Sequence, residues 1–130
     1  MEAEKPRILV VDDNHATQIL MRIVLGSVGY ELDTASNGAE GIDYLLSHPA
    51  TSLVILDLHM PGSNGVDFLE ERANSADLCK VPLMLLSGDS SLPDVASNFG
   101  IEHYLMKGTK PSALIDLVRR IVPVEETYPC

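Results

Sequence analysis

The segment Ser52–Gly65 reads SLVILDLHMPGSNG and joins an apolar run to a charged residue and a chain break. Five of the six residues from 53 to 58 are apolar, and the exception is Asp57. A short apolar run followed by Pro and Gly is typical of a strand in the interior of a sheet. The segment therefore predicts a buried strand that brings a carboxylate to one edge of a sheet.

Similar short runs recur along the chain and alternate with stretches of helical spacing. In the stretch 14–29, Leu20, Val24 and Val28 recur at helical spacing, and we expect them to form the core-facing stripe of the first helix. The last candidate helix starts at Pro111. Five strands that alternate with five helices favour an α/β architecture with a parallel sheet. The candidate strands are RILVV (7–11), YELDTA (30–35), SLVIL (52–56), VPLMLLS (81–87) and HYLM (103–106). The second of these is the most polar, so we expect it at an edge of the sheet.

The composition fits one acidic domain. The chain has 130 residues, is 45% hydrophobic and carries a formal net charge of −10. We predict a single domain over residues 1–130, with a core at about 7–122 and a tail at 123–130. The acidic balance argues against direct binding to nucleic acid, which requires a basic surface.

Cysteine content and N-terminal hydropathy exclude other classes. The two cysteines, Cys79 and Cys130, form neither a disulfide framework nor a zinc-binding spacing. The apolar run near the N-terminus is too short for a signal peptide or a membrane-spanning helix. We therefore expect a cytoplasmic protein without membrane insertion.

Reactive residues fall at the predicted ends of four strands. Asp12 and Asp13 follow the first strand, Asp57 follows the third, Ser87 ends the fourth and Lys107 follows the fifth. In open parallel sheets, the loops beyond the carboxyl ends of the strands converge on binding sites. We therefore expect these side chains to lie together at one edge of the sheet.

Each of these residues taken alone also has an ordinary structural explanation. Asp13 or Asn14 could cap the first helix, and Asp57 could cap a loop. Ser87 could belong to a turn, and Lys107 could be a surface lysine. Their joint placement at one edge of the sheet is what favours a shared site.

The predicted cluster suits phosphoryl chemistry. Three neighbouring carboxylates repel one another, and a bound cation removes that cost. Mg²⁺ binds one or two carboxylates together with water and phosphate oxygens. An ionised Asp57 can attack phosphorus without a general base, so none of the four histidines is required. Ser87 and Lys107 can then donate to the phosphoryl oxygens.

Four segments together resemble the receiver domains of two-component response regulators. They are VVDDN (10–14), LDLHMPGSNG (56–65), LLSG (85–88) and YLMKG (104–108), and their order and spacing match over about residues 7–122. The resemblance implies a flavodoxin-like (βα)5 fold with a doubly wound parallel five-stranded sheet in the order 2-1-3-4-5. It also implies a phosphoprotein of phosphorelay signal transduction rather than an enzyme, with intrinsic autophosphorylation and slow autodephosphorylation.

The resemblance assigns the acidic residues to phosphate and metal binding. Asp57 corresponds to the phosphoacceptor. Asp13 and Asp57 correspond to direct Mg²⁺ ligands, and Asp12 corresponds to a residue that acts through water. The backbone carbonyl of His59 would complete the protein ligands.

The resemblance also implies switch and modulator residues. Lys107 corresponds to the lysine that pairs with the phosphoryl group, and Ser87 corresponds to the switch hydroxyl. Tyr104 corresponds to the aromatic switch residue that turns inward on activation; half-packing on a helix at the sheet edge is the alternative. His59 and Asp89 occupy positions that modulate hydrolysis of the phosphoryl group.

The implied partners are proteins. The phosphodonor would be a histidine kinase or a histidine phosphotransfer protein, and a downstream protein would bind the face of helix four, strand five and helix five. We hypothesise that Ile19 and Ile23 on the first helix are partly exposed and bind the donor. Burial of both in a wide apolar face is the alternative. We also expect either a stand-alone receiver that works by contact or a piece of a larger regulator or hybrid kinase.

Gly108 departs from the family pattern, which usually has a proline after the lysine, joined by a cis peptide. A cis bond before a residue other than proline costs about 2.5–4 kcal/mol. We therefore predict a trans peptide between Lys107 and Gly108 and a more mobile loop.

Two other functions fit part of the pattern. A receiver-like module could bind partners independently of phosphorylation. Such a module is expected to lose at least one member of the site set, which is intact here: Asp12, Asp13, Asp57, Ser87 and Lys107. A phosphatase of the haloacid dehalogenase type also uses an aspartate at a strand end. That chemistry requires a second aspartate at the position of His59, and the chain has no room for a cap domain.

Overall fold

The computed structural model describes residues 5–58, 65–88 and 90–123, and in these ranges strands and helices alternate. The strands are β1 (Arg7–Val11), β2 (Glu31–Ala35), β3 (Leu53–Leu56), β4 (Leu83–Ser87) and β5 (Tyr104–Met106). The helices are α1 (His15–Gly26), α2 (Gly38–Ser47), α3 (Gly65–Ala73), α4 (Leu92–Asn98) and α5 (Pro111–Ile121). A short 3₁₀ helix (Leu78–Lys80), which the sequence pattern did not predict, precedes β4.

All five strands pair in parallel in the order β2-β1-β3-β4-β5. This order confirms the predicted flavodoxin-like fold and places the polar strand β2 at an edge. Val11 is level with Leu56, and Leu56 is level with Leu85. The carboxyl ends of the three central strands therefore emerge at one edge of the sheet.

Alternate side chains of the central strands enter two separate cores. Leu9, Leu56 and Leu85 pack on one face of the sheet, against residues of α2, α3 and α4. Ile55 and Met84 pack on the other face, against residues of α1 and α5. Because helices cover both faces, these strands read as continuous apolar runs in the sequence.

The buried face of α1 differs from the predicted one. Met21 and Leu25 are buried against the sheet, whereas Leu20 is 53% exposed, so its predicted place in the core stripe was wrong. Val24 and Val28 are partly buried at the margin of the core. The true stripe begins at a buried polar residue, Gln18, which shifts the apolar pattern by one position. A count of apolar residues alone cannot reveal this shift.

The start of α3 lies directly against the end of β3. A Cβ atom at Gly65 would lie 2.7 Å from the Asp57 carbonyl oxygen and 2.7 Å from the Leu58 Cα atom. The amide of Gly65 donates to the Leu58 carbonyl over 3.2 Å. Glycine at this position therefore lets the helix approach the backbone that carries Asp57.

Across the described ranges, no helix combines the length and the apolar character that a membrane crossing requires.

Candidate functional site

Backbone hydrogen bonds hold Asp12 and Asp57 next to each other at the edge of the sheet. The Asp12 amide donates to the Ala35 carbonyl over 3.0 Å, and the Asp57 amide donates to the Val11 carbonyl over 2.9 Å. Each bond extends the pairing one residue beyond its strand. Both aspartates are buried, with 1% and 4% of their surface exposed.

Lys107 places its ammonium group between these two carboxylates. The Lys107 Nζ atom lies 3.0 Å from Asp12 Oδ2 and 3.1 Å from Asp57 Oδ2. The backbone of the lysine is fixed as well, because its amide donates to the Ser87 carbonyl over 2.9 Å. The sheet thus supplies both the acidic pair and the cation that compensates it.

The two carboxylates keep Lys107 charged. Burial by itself lowers the pKa of Lys107, but the hydrogen-bond and charge contributions of Asp12 and Asp57 together outweigh burial and raise that pKa above its ordinary value. The side chain is 30% exposed, so the ammonium group can still be reached from solvent. Lys107 therefore meets an incoming group as a cation at neutral pH.

A third carboxylate joins the cluster. Ligand oxygens of Asp12, Asp13 and Asp57 lie within 4.8 Å of one another. The N-cap of α1 is Asn14, whose side chain accepts from the Thr17 amide over 3.2 Å. Asp13 is therefore not the cap, and within the described ranges its carboxylate has no hydrogen bond or ion pair.

This donor set fits a hard divalent cation. Three carboxylates face one ammonium group, which leaves an excess of two formal negative charges. The Asp12 Oδ2 atom is buried without a well-aligned hydrogen bond, and Lys107 is the charge beside it. All-oxygen donors with positions left for water suit Mg²⁺ better than softer metals. Asp12, Asp13 and Asp57 could hold such an ion.

The remaining predicted residues divide into those at the site edge and those outside the described residues. Ser87 is fully buried at the end of β4, and it is level with Met106 on β5. Tyr104 is 41% exposed on the edge strand, so its ring is not turned into the interior. The predicted modulators His59 and Asp89 lie outside the described residues, as does the part of the predicted tail from residue 124 onward.

The loop after Lys107 has the predicted trans peptide. The described peptide bonds include no cis bond, and Gly108 has a φ of +90°. Glycine adopts this region readily, whereas the ring of proline fixes φ near −65°. The turn is closed by the Thr109 amide, which donates to the Met106 carbonyl over 3.3 Å. The predicted higher mobility of this loop stays a prediction.

Sequence reasoning missed one residue that contacts the turn after β1, which carries Asp12 and Asp13 and is hereafter called the acidic turn. The Gln18 Nε2 atom donates to the Asp12 carbonyl oxygen over 2.6 Å, and it lies 3.4 Å from Ser36 Oγ. The sequence signal for Gln18 was its spacing, since it lies three residues before Met21 and seven before Leu25, both buried apolar residues of α1. The role of this spacing becomes visible only once α1 is packed against the turns that follow β1 and β2.

Comparison with known proteins finds similarity to response regulators. A family model described as "Response regulator receiver domain" matches residues 8–119. Two-component response regulator ORR11 of Oryza sativa is 27% identical over 120 residues, which cover 91% of this chain and 82% of ORR11. DNA-binding response regulator MtrA of Mycobacterium tuberculosis is 33% identical over 122 residues, which cover 92% of this chain. The chain spans about half of MtrA, 51% of its length.

Solved structures share the fold over nearly the whole chain. The response regulator protein TrrA of Thermotoga maritima, in complex with Mg²⁺ and BeF, superposes with a TM-score of 0.80 at 32% identity. The superposition covers 90% of this chain and 99% of TrrA. A response regulator receiver protein from Pseudomonas putida gives a TM-score of 0.82 at 26% identity, over 92% of this chain and 99% of that protein.

Proposed function

Because this chain belongs to the family of response regulator receiver domains, we propose that Asp57 accepts a phosphoryl group in the presence of Mg²⁺. The donor is a histidine kinase or a histidine phosphotransfer protein, and the product is an aspartyl phosphate. The observation that carries this proposal is the Lys107 ammonium group, 3.0 Å and 3.1 Å from two buried carboxylates, with Asp13 beside them.

The side chains divide the chemistry among them. An Asp57 oxygen forms the new bond to phosphorus, while the bond from phosphorus to the donor imidazole nitrogen breaks and the electron pair leaves with the imidazole. An aspartate carboxylate needs no general base to attack phosphorus, and the Lys107 ammonium group 3.1 Å away favours that charged form. Lys107 pairs with one phosphoryl oxygen, and the Ser87 hydroxyl donates to another.

A bound Mg²⁺ would supply positive charge to the phosphoryl oxygens and to the clustered carboxylates. We assign Asp13 and Asp57 as its direct ligands and Asp12 as a residue acting through water. The backbone carbonyl of His59 is the further ligand that the family resemblance implies.

Phosphorylation then shifts a conformational equilibrium. Ser87 moves toward the phosphoryl group, and Tyr104, which is 41% exposed, turns into the space that opens behind it. This movement changes the face of α4, β5 and α5, where a downstream protein binds. His59 and Asp89 set the lifetime of the phosphoryl group.

The donor binds the exposed apolar face of α1. Ile19 and Ile23 are 59% and 65% exposed, which fits the hypothesis drawn from the sequence, and Leu20 lies between them. Leu20 and Met106 also line an apolar cavity of about 160 Å³ whose wall includes Lys107. A helix laid along α1 would therefore bring a phosphohistidine close to the site.

We place this activity in the cytoplasm and assign the domain no direct contact with nucleic acid. MtrA is named a DNA-binding regulator, but this chain spans only 51% of it. The net charge of −10 supports the same assignment.

Incubation with Mg²⁺ and acetyl phosphate tests the proposal by mass spectrometry. Wild-type protein should gain about 80 Da, the mass of one phosphoryl group, and Asp57→Asn should gain nothing. A wild-type protein that gains no mass would instead be a binding module that acts without phosphorylation. Continuous release of phosphate without accumulation of the adduct would indicate a phosphatase.

A further inference from the structure

Gln18 is a buried polar side chain within an otherwise apolar face of α1. It is 7% exposed, and Met21 and Leu25 continue the same buried face. Burying an amide is unfavourable unless its polar atoms are hydrogen-bonded. The Gln18 Nε2 atom satisfies this requirement by donating to the Asp12 carbonyl oxygen over 2.6 Å.

The same nitrogen reaches the end of the neighbouring strand. It lies 3.4 Å from Ser36 Oγ, directly after β2. Ser36 is itself held, because its amide donates to Glu40 Oε2 over 2.7 Å. Glu40 in turn donates its amide to the side chain of Asn37, the N-cap of α2, over 2.8 Å. Gln18 therefore connects the acidic turn to a fixed part of the structure.

The hydrogen bond to the Asp12 carbonyl also fixes the backbone at Asp13. That carbonyl and the Asp13 amide belong to one planar peptide unit, so fixing the oxygen fixes the plane. On the other side, the Asn14 amide donates to Asp12 Oδ1 over 2.9 Å. The backbone on both sides of Asp13 is thus held by contacts to Asp12.

Asp13 depends on this backbone for its direction. Within the described part of the chain its carboxylate has no hydrogen bond or ion pair, unlike Asp12 and Asp57, which share Lys107. Nevertheless a ligand oxygen of Asp13 lies within 4.8 Å of those of the other two aspartates. The orientation of the peptide between residues 12 and 13 therefore places the Asp13 carboxylate beside the other two.

We propose that Gln18 is a positioning residue for cation binding, which orients Asp13 through the Asp12 carbonyl. This inference rests on the proposed Mg²⁺ site. Residues that orient metal ligands without touching the metal typically change metal affinity by about 10–100-fold when they are replaced. Gln18 contacts no reacting atom, so its effect should be seen in binding of the ion itself.

Calorimetric titration of the full chain with Mg²⁺ alone tests the inference. Gln18→Leu retains the bulk of the side chain and removes its donors, so the dissociation constant should rise by about 10-fold. Met21→Leu changes a buried residue of the same helix face that lies one turn further on. This control should leave the dissociation constant within about 2-fold of the wild-type value. Backbone amide spectra establish that each variant is folded.

Double variants separate positioning from a general loss of structure. In an Asp13→Asn background, Gln18→Leu should change Mg²⁺ affinity by less than about 2-fold, because the carboxylate that Gln18 orients is gone. In an Asp57→Asn background the effect should remain near 10-fold, since the backbone of Asp57 is held independently. Gln18→Met, an unbranched side chain without donors, provides the same comparisons if the leucine variant does not fold.

The outcomes are distinguishable. A folded Gln18→Leu variant with wild-type Mg²⁺ affinity would overturn the inference, as would an equal loss in the Asp13→Asn background. Both results leave the proposed function intact. A wild-type chain that does not bind Mg²⁺ would overturn the proposed function itself and the inference with it.

Discussion

Lys107 donates to the carboxylate of Asp57 over 3.1 Å, although 50 residues of sequence separate the two. The contact forms because β3 and β5 flank β4 and end at the same edge of the sheet. The same ammonium group lies 3.0 Å from Asp12. One ammonium group therefore offsets part of the negative charge that two strand ends bring together, and its removal should affect both the charge balance and the phosphorylation rate.

Replacing Lys107 by Met should slow phosphorylation by acetyl phosphate by roughly 10²–10³-fold, because a donor to the developing charge is lost. Mg²⁺ should bind more tightly to this variant, since a cation that competes for the carboxylates has gone. Mass spectrometry gives the rate, and calorimetry gives the affinity.

Lys110→Met is the matched control for this experiment. Lys110 is an exposed N-cap residue of α5, and the substitution removes the same charge away from the site. The control should leave the rate nearly unchanged. Equal rates for Lys107→Met and wild type would contradict the assigned role.

Gly65→Ala should destabilise the fold at the position where α3 contacts β3. The added Cβ atom would lie 2.7 Å from the Asp57 carbonyl oxygen and from the Leu58 Cα atom, so the backbone must shift. Overpacking of this kind costs about 1–3 kcal/mol. Urea unfolding should show the loss, and phosphorylation of Asp57 should slow as the carboxylate moves.

Gly26→Ala tests whether the loss is specific to that contact. Gly26 ends α1, and an added Cβ atom there would have nothing within 4 Å. This change should raise the free energy of unfolding, by up to about 1 kcal/mol, because alanine favours helix more than glycine does. Destabilisation by both substitutions would argue against close approach as the cause.

Asp33→Asn should reduce stability at neutral pH but have little effect in acid. The hydrogen bond from Tyr44 lowers the pKa of Asp33, and Arg7, whose Nη1 atom lies 2.7 Å away, lowers it further against the opposing effect of burial. A carboxyl with a lowered folded-state pKa stabilises the fold above its unfolded pKa of about 3.9. That contribution disappears as the pH falls through the folded-state pKa.

Urea unfolding of wild type and Asp33→Asn at neutral and acidic pH measures this difference. The side chain of Asp33 is 40% exposed, so added salt should reduce the effect as well. Glu31→Gln alters the longer ion pair of Arg7, at 3.4 Å, and should change stability less. A difference between wild type and Asp33→Asn that stays constant from neutral to strongly acidic pH would be inconsistent with this assignment.

Ile19→Glu should slow phosphotransfer from the cognate donor by at least about 10-fold, because a charge in the apolar contact weakens docking. Phosphorylation by acetyl phosphate should not change, since that small donor needs no protein surface. Leu46→Glu, on α2 with 61% of its surface exposed, is the control with similar exposure. If Ile19→Glu and Leu46→Glu slowed phosphotransfer equally, or if neither slowed it, α1 would be excluded as the docking surface.

The central strands and their ends could be predicted because a strand that is buried on both faces is a continuous apolar run in the sequence. The run before Asp57 is apolar at every position, and the acidic and basic residues begin where such runs stop. The polar strand β2 was likewise recognisable as an edge. Parallel topology then sufficed to bring Asp12, Asp57 and Lys107 to one place.

The features that escaped prediction depend on contacts between distant segments. The stripe of α1 was misplaced at Leu20 because Gln18, a polar residue, is buried against the residues that follow β1 and β2. The requirement for Gly65 arises from the backbone of Asp57, which helical periodicity does not record. Such positions follow from how the segments are assembled rather than from local preference.

The ammonium group between Asp12 and Asp57 also bears on how the protein matures. Small zinc-dependent domains stay unfolded until their metal arrives. Here a lysine already serves as internal counterion, so a newly synthesised chain should reach its native state in medium stripped of divalent ions. Binding of the proposed divalent ion would then add positive charge to a scaffold that is already folded, and folding would not wait for the ion.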